Sequence, residues 1–148
     1  MAGRQIDFEA LADFRYEIRR FLNFSERAAR LAGIEPQQHQ ALLAIKGQPA
    51  GEEISIGALA AGLLVRHHTA VELIDRLEKN GLVRRSRSSK DGRRADLRLT
   101  KRGERVLESL SVEHRNELDS SGPRLIKALE SVLAHKKRLG RTKARRSG

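Results

Sequence analysis

Between Ser55 and Thr100 the apolar residues change spacing twice, from the 3.6-residue repeat of a helix to the two-residue repeat of a strand and back. Ile56, Leu59, Ala60 and Leu63 form one short apolar stripe behind Ser55, a residue suited to capping a helix. After an interruption near Leu64–Arg66, Ala70, Leu73, Ile74 and Leu77 form a second stripe, from about His67 to Asn80, which Gly81 ends. Two helices of this size joined by a tight turn form a helix-turn-helix, with the small Ala60 at the crossing and Val65 in the turn. Residues 82–87 then read as a strand and 88–94 as a turn, signalled by Asp91-Gly92. Ala95 to Leu99 alternate as a half-solvated strand. Thr100 is suited to cap a further helix, with Glu104 near the capping-box position. The spacing therefore predicts a helix-turn-helix followed by a two-stranded β-hairpin wing, spanning about residues 36–100.

Long helical patterns flank this segment. Asp7 is placed to cap a helix over about residues 8–31, carrying Leu11, Phe14, Ile18, Phe21 and Leu22 on one face and stopping at Gly33. Such a helix is over about 30 Å long, which points to a face packed outside its own globule. Pro36 suits the first turn of the next helix, which holds Leu42, Leu43 and Ile45 and ends at Gly47. Ile54 reads as a remnant of a strand. Beyond Lys101 the apolar pattern runs through Val106, Leu107, Leu110, Val112 and Leu118. It is interrupted at Ser120-Ser121-Gly122-Pro123 and resumes from Leu125 to Leu133. The fold class is mainly α: one domain over residues 1–135, with dimerisation helices at about 8–32 and 101–135. A basic tail without periodicity follows over 136–148, expected to be disordered. The flanking helices hold more apolar surface than a small winged domain needs. A twofold dimer uses that surface and sets two recognition helices about 34 Å apart, one turn of duplex.

Charge points to the partner. The 148-residue chain carries net +11, but the excess sits in two places: residues 84–105 hold 10 basic and 3 acidic groups, and residues 136–148 hold 7 basic groups and no acidic one. The tail reads as loosely attractive to phosphates, whereas the internal patch falls on the predicted wing. Absence of cysteine excludes a disulfide framework, a thiolate zinc site and a thiol nucleophile. No apolar run approaches a membrane span, and residues 1–30 lack an apolar signal core, so a soluble, cytoplasmic, nucleoid-associated protein is expected. No phosphate loop, nucleophile motif or metal-spaced cluster is present, so neither enzyme activity nor a cofactor is expected.

A basic hairpin beside an exposed helix suits double-stranded DNA, the helix entering the major groove and the wing reaching phosphate or the minor groove. His67, His68 and Thr69 open the recognition helix and are expected at bases or phosphates. The two histidines point about 100° apart on a helix and have no evident third ligand, so no metal site is assigned. Val71 suits a thymine methyl, Glu72 a cytosine amino group, and Arg76 a phosphate. Arg84, Arg85 and Arg87 read as solvated strand residues rather than base readers, with phosphate contact as the alternative role, and Arg84 and Arg87 join the expected DNA contacts. The alternative is a general or architectural nucleic-acid-binding protein, which would show steep salt dependence without a preferred site.

The stretch Leu59-Ala-Ala-Gly-Leu-Leu-Val-Arg-His-His-Thr-Ala-Val-Glu-Leu-Ile-Asp-Arg-Leu-Glu-Lys-Asn-Gly-Leu-Val83 resembles the helix-turn-helix of the MarR family of bacterial transcription regulators. Asp91-Gly-Arg-Arg-Ala-Asp-Leu-Arg-Leu-Thr100 and the following Lys101-Arg-Gly103 resemble that family's wing and wing-to-helix junction. The resemblance covers roughly residues 8–135. It implies an obligate homodimer held by the terminal helices, a pseudo-palindromic operator, repression, and release by a small anionic or phenolic effector. It further implies that Arg93 enters the minor groove and that Asp91 braces an arginine. Gly92 stands where relatives often carry a basic residue, which shifts part of that work to Arg94. Arg66 occupies the place of the usual small polar cap and joins the expected DNA contacts. In the family the effector pocket lies between the dimer helices and the DNA lobe; Tyr16, Arg19, Arg20 and His39 are the candidates here, though for His39 an ordinary surface position is the commoner role.

Overall fold

The computed structural model describes residues 6–88, 92 and 94–145. Among these residues are five helices, α1 (Phe8–Leu31), α2 (Pro36–Lys46), α3 (Ile56–Leu63), α4 (His67–Lys79) and α5 (Lys101–Arg145), and three strands, β1 (Ile54–Ser55), β2 (Val83–Arg87) and β3 (Ala95–Leu99). The chain divides into two compact units, one of residues 26–113 and one of residues 1–25 with 114–148.

The 26–113 unit is the winged helix-turn-helix. Its core is aliphatic: Leu42, Leu59, Ile74, Leu77, Leu82, Leu97 and Leu110 are fully buried. Each such side chain contributes about 1.5–3 kcal/mol gross on leaving water. Ala70, Leu73, Ile74 and Leu77, the predicted inner stripe of α4, are all buried. The predicted helix ends are borne out by their bonding. Asp7 Oδ1 accepts from the Ala10 amide (2.9 Å) and Ser55 Oγ from the Ala58 amide (3.2 Å). Gly33 adopts φ +82, a left-handed stop open to glycine without cost, and Ile34 N donates to Ala29 O.

The turn between α3 and α4 takes the same left-handed form at a residue poorly suited to it. Leu64 has φ 57 and ψ 39, is 92 % exposed, and lets Val65 N reach Ala60 O (3.0 Å). A branched side chain in this region costs about 1–2 kcal/mol.

The sheet is antiparallel with order β1-β3-β2, so the wing expected as two strands gains a third, the two-residue β1 at Ile54. The join between wing and α5 is tight. Thr100 Oγ1 donates to Gly81 O (2.6 Å) and accepts from Gly103 N (3.0 Å), while Thr100 N donates to Leu82 O (3.0 Å). A Cβ on Gly103 would collide with the Leu82 carbonyl, so only glycine admits this approach. Glu104 does not close the expected capping box. It lies one residue past that position and instead accepts from Lys46 Nζ (2.7 Å), whose hydrogen bond and charge hold its carboxyl below the usual carboxylate range. Both groups are exposed, so the pair adds little to stability.

The other unit shows the second correction. The interruption expected at 120–123 is absent: α5 runs through Pro123 without a stop and continues across the basic residues expected to be a disordered tail, as far as Arg145. Ser121 Oγ donates to Glu117 O (2.9 Å), so this serine joins the helix rather than breaking it. Asp119, whose carbonyl loses a donor at Pro123, is exposed to water. Among its described residues this unit buries only Ala10 and Ala128 as apolar side chains, whereas Phe8, Leu11, Tyr16, Leu22, Leu118, Ile126, Leu129 and Leu133 are exposed.

Two substitutions test these junctions by thermal or denaturant unfolding. Gly103→Ala should lower stability by about 1–3 kcal/mol through overpacking against Leu82. Leu64→Asn should raise it by up to about 1 kcal/mol, since Asn tolerates the left-handed region and almost no buried area is lost.

Candidate nucleic-acid interface

α4 is amphipathic because its two faces obey different requirements. The inner stripe fills the core; the outer one presents His67, His68, Glu72, Asp75, Arg76 and Lys79 to solvent, with Thr69 and Val71 half-buried at its edge. Arg66, at the N-cap, is extended (φ −71, ψ 155), makes no side-chain cap and is exposed. The helix thus begins with an arginine and two histidines in solvent, the end a recognition helix uses on base edges.

In the wing, register decides which arginines are available. Arg84 lies opposite Arg98, Arg85 opposite Leu97 and Arg87 opposite Ala95. Arg84 and Arg87 are exposed and make no ion pair with a described residue. Arg85 faces α4, where it donates to Asp75 (2.7 Å) and to Glu78. It ties the wing to α4 and neutralises two of that helix's carboxylates. Arg98 pairs with Glu53. Arg94, expected at DNA, donates through Nε to Asp96 Oδ1 (2.9 Å) and through Nη2 to the Glu53 carbonyl (3.2 Å). Arg93 and Asp91 lie outside the described residues.

The pairing of Arg85, Arg94 and Arg98 was not read from the sequence. Arg94, immediately before β3, and Asp96 within it are two residues apart, and that spacing was the available signal. A second feature missed is a cavity of about 510 Å³ beside the C-terminal half of α4, lined by Arg30, Glu35, Gln38, Arg76 and Lys79 among others.

Of the four residues considered for an effector, three belong to one unit and His39 to the other. Tyr16 and Arg20 meet on α1, the guanidinium 5.7 Å from the ring centroid, and Arg20 also faces Glu17 (3.8 Å). Arg19 is exposed. His39 is not a surface residue: it is 3 % exposed, on the inner side of α2 in the 26–113 unit. Among the described residues no three His, Cys, Asp or Glu side chains form a metal-sized group, and no helix is long and apolar enough to cross a membrane.

The sequence matches the MarR family over residues 32–94, the winged helix-turn-helix segment. No curated protein sequence matches the chain. Among solved structures, a point mutant of MepR from S. aureus bound to an oligodeoxyribonucleotide is similar at 19% identity, covering 97% of this chain and 99% of that one, with a TM-score of 0.61. Wild-type MarR from E. coli in its apo form is 20% identical over 93% of this chain and 98% of its own, with a TM-score of 0.63. CouR, described as a transcriptional repressor and bound to a 23-mer DNA duplex, is 25% identical over 81% of this chain and 86% of its own, with a TM-score of 0.62. The fold is therefore that of the MarR regulators, and the resemblance carried by residues 59–83 and 91–103 falls within or beside the matched segment.

The Arg85 clamp has a measurable signature. Arg85→Ala should cost about 1 kcal/mol of stability at low salt, shrinking as salt screens the pairs. Unfolding curves over a salt series check this; a loss independent of salt would mean that packing, not charge, holds Arg85.

Proposed function

We propose that this chain is a MarR-family, sequence-specific DNA-binding transcription regulator that acts as a homodimer on a pseudo-palindromic operator. It binds rather than catalyses, and works in the compartment that holds the DNA. The observation that carries this reading is the outer face of α4. Arg66, His67, His68 and Glu72 stand in solvent at the start of a helix whose other face is rigidly buried, with Thr69 and Val71 at its margin and Arg84 and Arg87 free on the adjoining wing. The N-terminal residues of the helix read base edges, while Arg76, Arg84, Arg87 and Arg93 contact the backbone or minor groove, which positions the domain on the duplex. The DNA carried by the MepR and CouR structures supports the same assignment by fold.

The homodimer follows from the thin unit of residues 1–25 and 114–148. Phe8 is 74 % exposed and Ile126 59 %, in a unit whose described residues bury only two alanines as apolar side chains. A monomer leaving this apolar surface in water is unfavourable, and a twofold partner buries the same face on both subunits. Repression, and release by a small anionic or phenolic effector, complete the proposal. The cavity bounded by Arg30, Arg76 and Lys79 offers cationic chemistry for such an effector, whereas Tyr16 and Arg20 stand on the α1 surface and His39 is buried in the core of the other unit.

Fluorescence anisotropy with the DNA upstream of the coding region, against unrelated duplex and over a salt series, tests the reading. A preference of about 10³-fold or more, with two protomers per site, is expected. Arg93→Ala should weaken operator binding without dissociating the dimer. Equal affinity for every duplex at every salt would instead favour the general nucleic-acid binder.

A further inference from the structure

The wing sheet carries a polar network that DNA binding by itself does not explain. Asp96 lies on the central strand, opposite Ser86 of β2 and Ser55 of β1, and is 5 % exposed. A carboxylate that deep in a sheet needs a compensating donor. Arg94, two residues earlier, provides one through Nε. The same guanidinium reaches the carbonyl of Glu53, 41 residues away in sequence, immediately before β1. Arg98 takes the carboxylate of that same Glu53. Arg94 O also accepts from Ser88 N (2.9 Å), closing the base of the hairpin.

We propose that Arg94 is a positioning residue of the wing: by bridging the buried Asp96 carboxylate and the Glu53 carbonyl, it clamps β3 to the segment entering β1 and holds the base of the hairpin from which the wing reaches DNA. The inference rests on the DNA-binding reading only for its consequence; the clamp itself is a property of the free protein. Two of the five guanidinium donors face acceptors within the wing, in a bridging geometry that a point-charge lysine does not reproduce. The two-residue β1 has little ladder of its own, so it depends on such side-chain ties.

The test separates positioning from direct contact by using both ends of the bridge. Asp96→Asn removes the ion pair but leaves the Arg94 charge in place, while Arg94→Ala removes both. If Arg94 positions the wing, each variant weakens operator binding by about tenfold and the double variant is no worse than either single one. The slope of log affinity against log salt stays at the wild-type value in all three. If Arg94 instead contacts a phosphate, Arg94→Ala lowers that slope by about 1 while Asp96→Asn leaves affinity unchanged or higher, and the proposal is overturned. A second arm needs no DNA. Amide hydrogen exchange over residues 52–56 and 95–99 should accelerate in both variants and in Arg94→Lys, relative to the helical core at 70–77. Wild-type exchange rates in these segments would overturn the clamp even if the protein binds no operator. Accelerated exchange in a chain without site preference would leave the clamp standing and remove the regulator reading alone.

Discussion

Burial of one side of α4 is the constraint on which the rest of the structure depends. Ala70, Leu73, Ile74 and Leu77 lock the helix into an aliphatic core completed by Leu42, Leu59, Leu82 and Leu97, drawn from α2, α3, the α4–β2 connection and β3. A helix held on one face cannot rotate, so the opposite face has a set composition: His67, His68, Glu72 and Arg76 outward, Thr69 and Val71 at the margin. Recognition requires side chains delivered at a given angle, and close packing rather than polar bonding delivers them. With only 3% aromatic residues, the interior is filled by leucine, isoleucine, valine and alanine, whose interdigitation defines the angle between α3 and α4.

Charge is then distributed by register. The wing segment reads as a uniform positive patch, but the antiparallel ladder puts its arginines to different uses. Arg85 is turned towards the acids of α4, Arg94 and Arg98 towards Glu53 and Asp96, and Arg84 and Arg87 are left to solvent. Like charges opposite one another, Arg84 and Arg98, are made tolerable because Glu53 neutralises the second. A net charge counted along a chain therefore overstates what a partner meets, since part of it is consumed internally. The terminal unit has the opposite economy, with few buried side chains and much apolar surface, an arrangement suited to completion by another subunit.

Much of the fold was legible in local pattern. The bounds of α1, the break at Leu64–Arg66, the inward stripe of α4, the strand over 95–99 and the caps at Asp7, Ser55 and Thr100 all follow from residue spacing and capping chemistry. Among the readings that failed, the break at 120–123 and the exposure of His39 are instructive. Ser120-Ser121-Gly122-Pro123 has the composition of a turn. Yet a long helix absorbs a proline where the freed carbonyl meets water, and Ser121 bonds back to Glu117. His39 follows Pro36-Gln37-Gln38 and reads as exposed, but Gln38 and His39 share the buried side of α2 with Ala41, Leu42 and Ile45.

The sequence by itself determined the order and kind of the elements, because hydrophobic period, caps and turn residues act over a few neighbours. It determined also that the chain carries a basic hairpin beside an amphipathic helix. Only the tertiary structure decided which charges remain for a partner. Arg94 and Arg98 find their acceptors at Glu53, more than 40 residues away, and Arg85 finds its own on the preceding helix. Those pairings exist only once strand register and core packing have brought the segments together, and neither quantity is written in any local stretch of the chain.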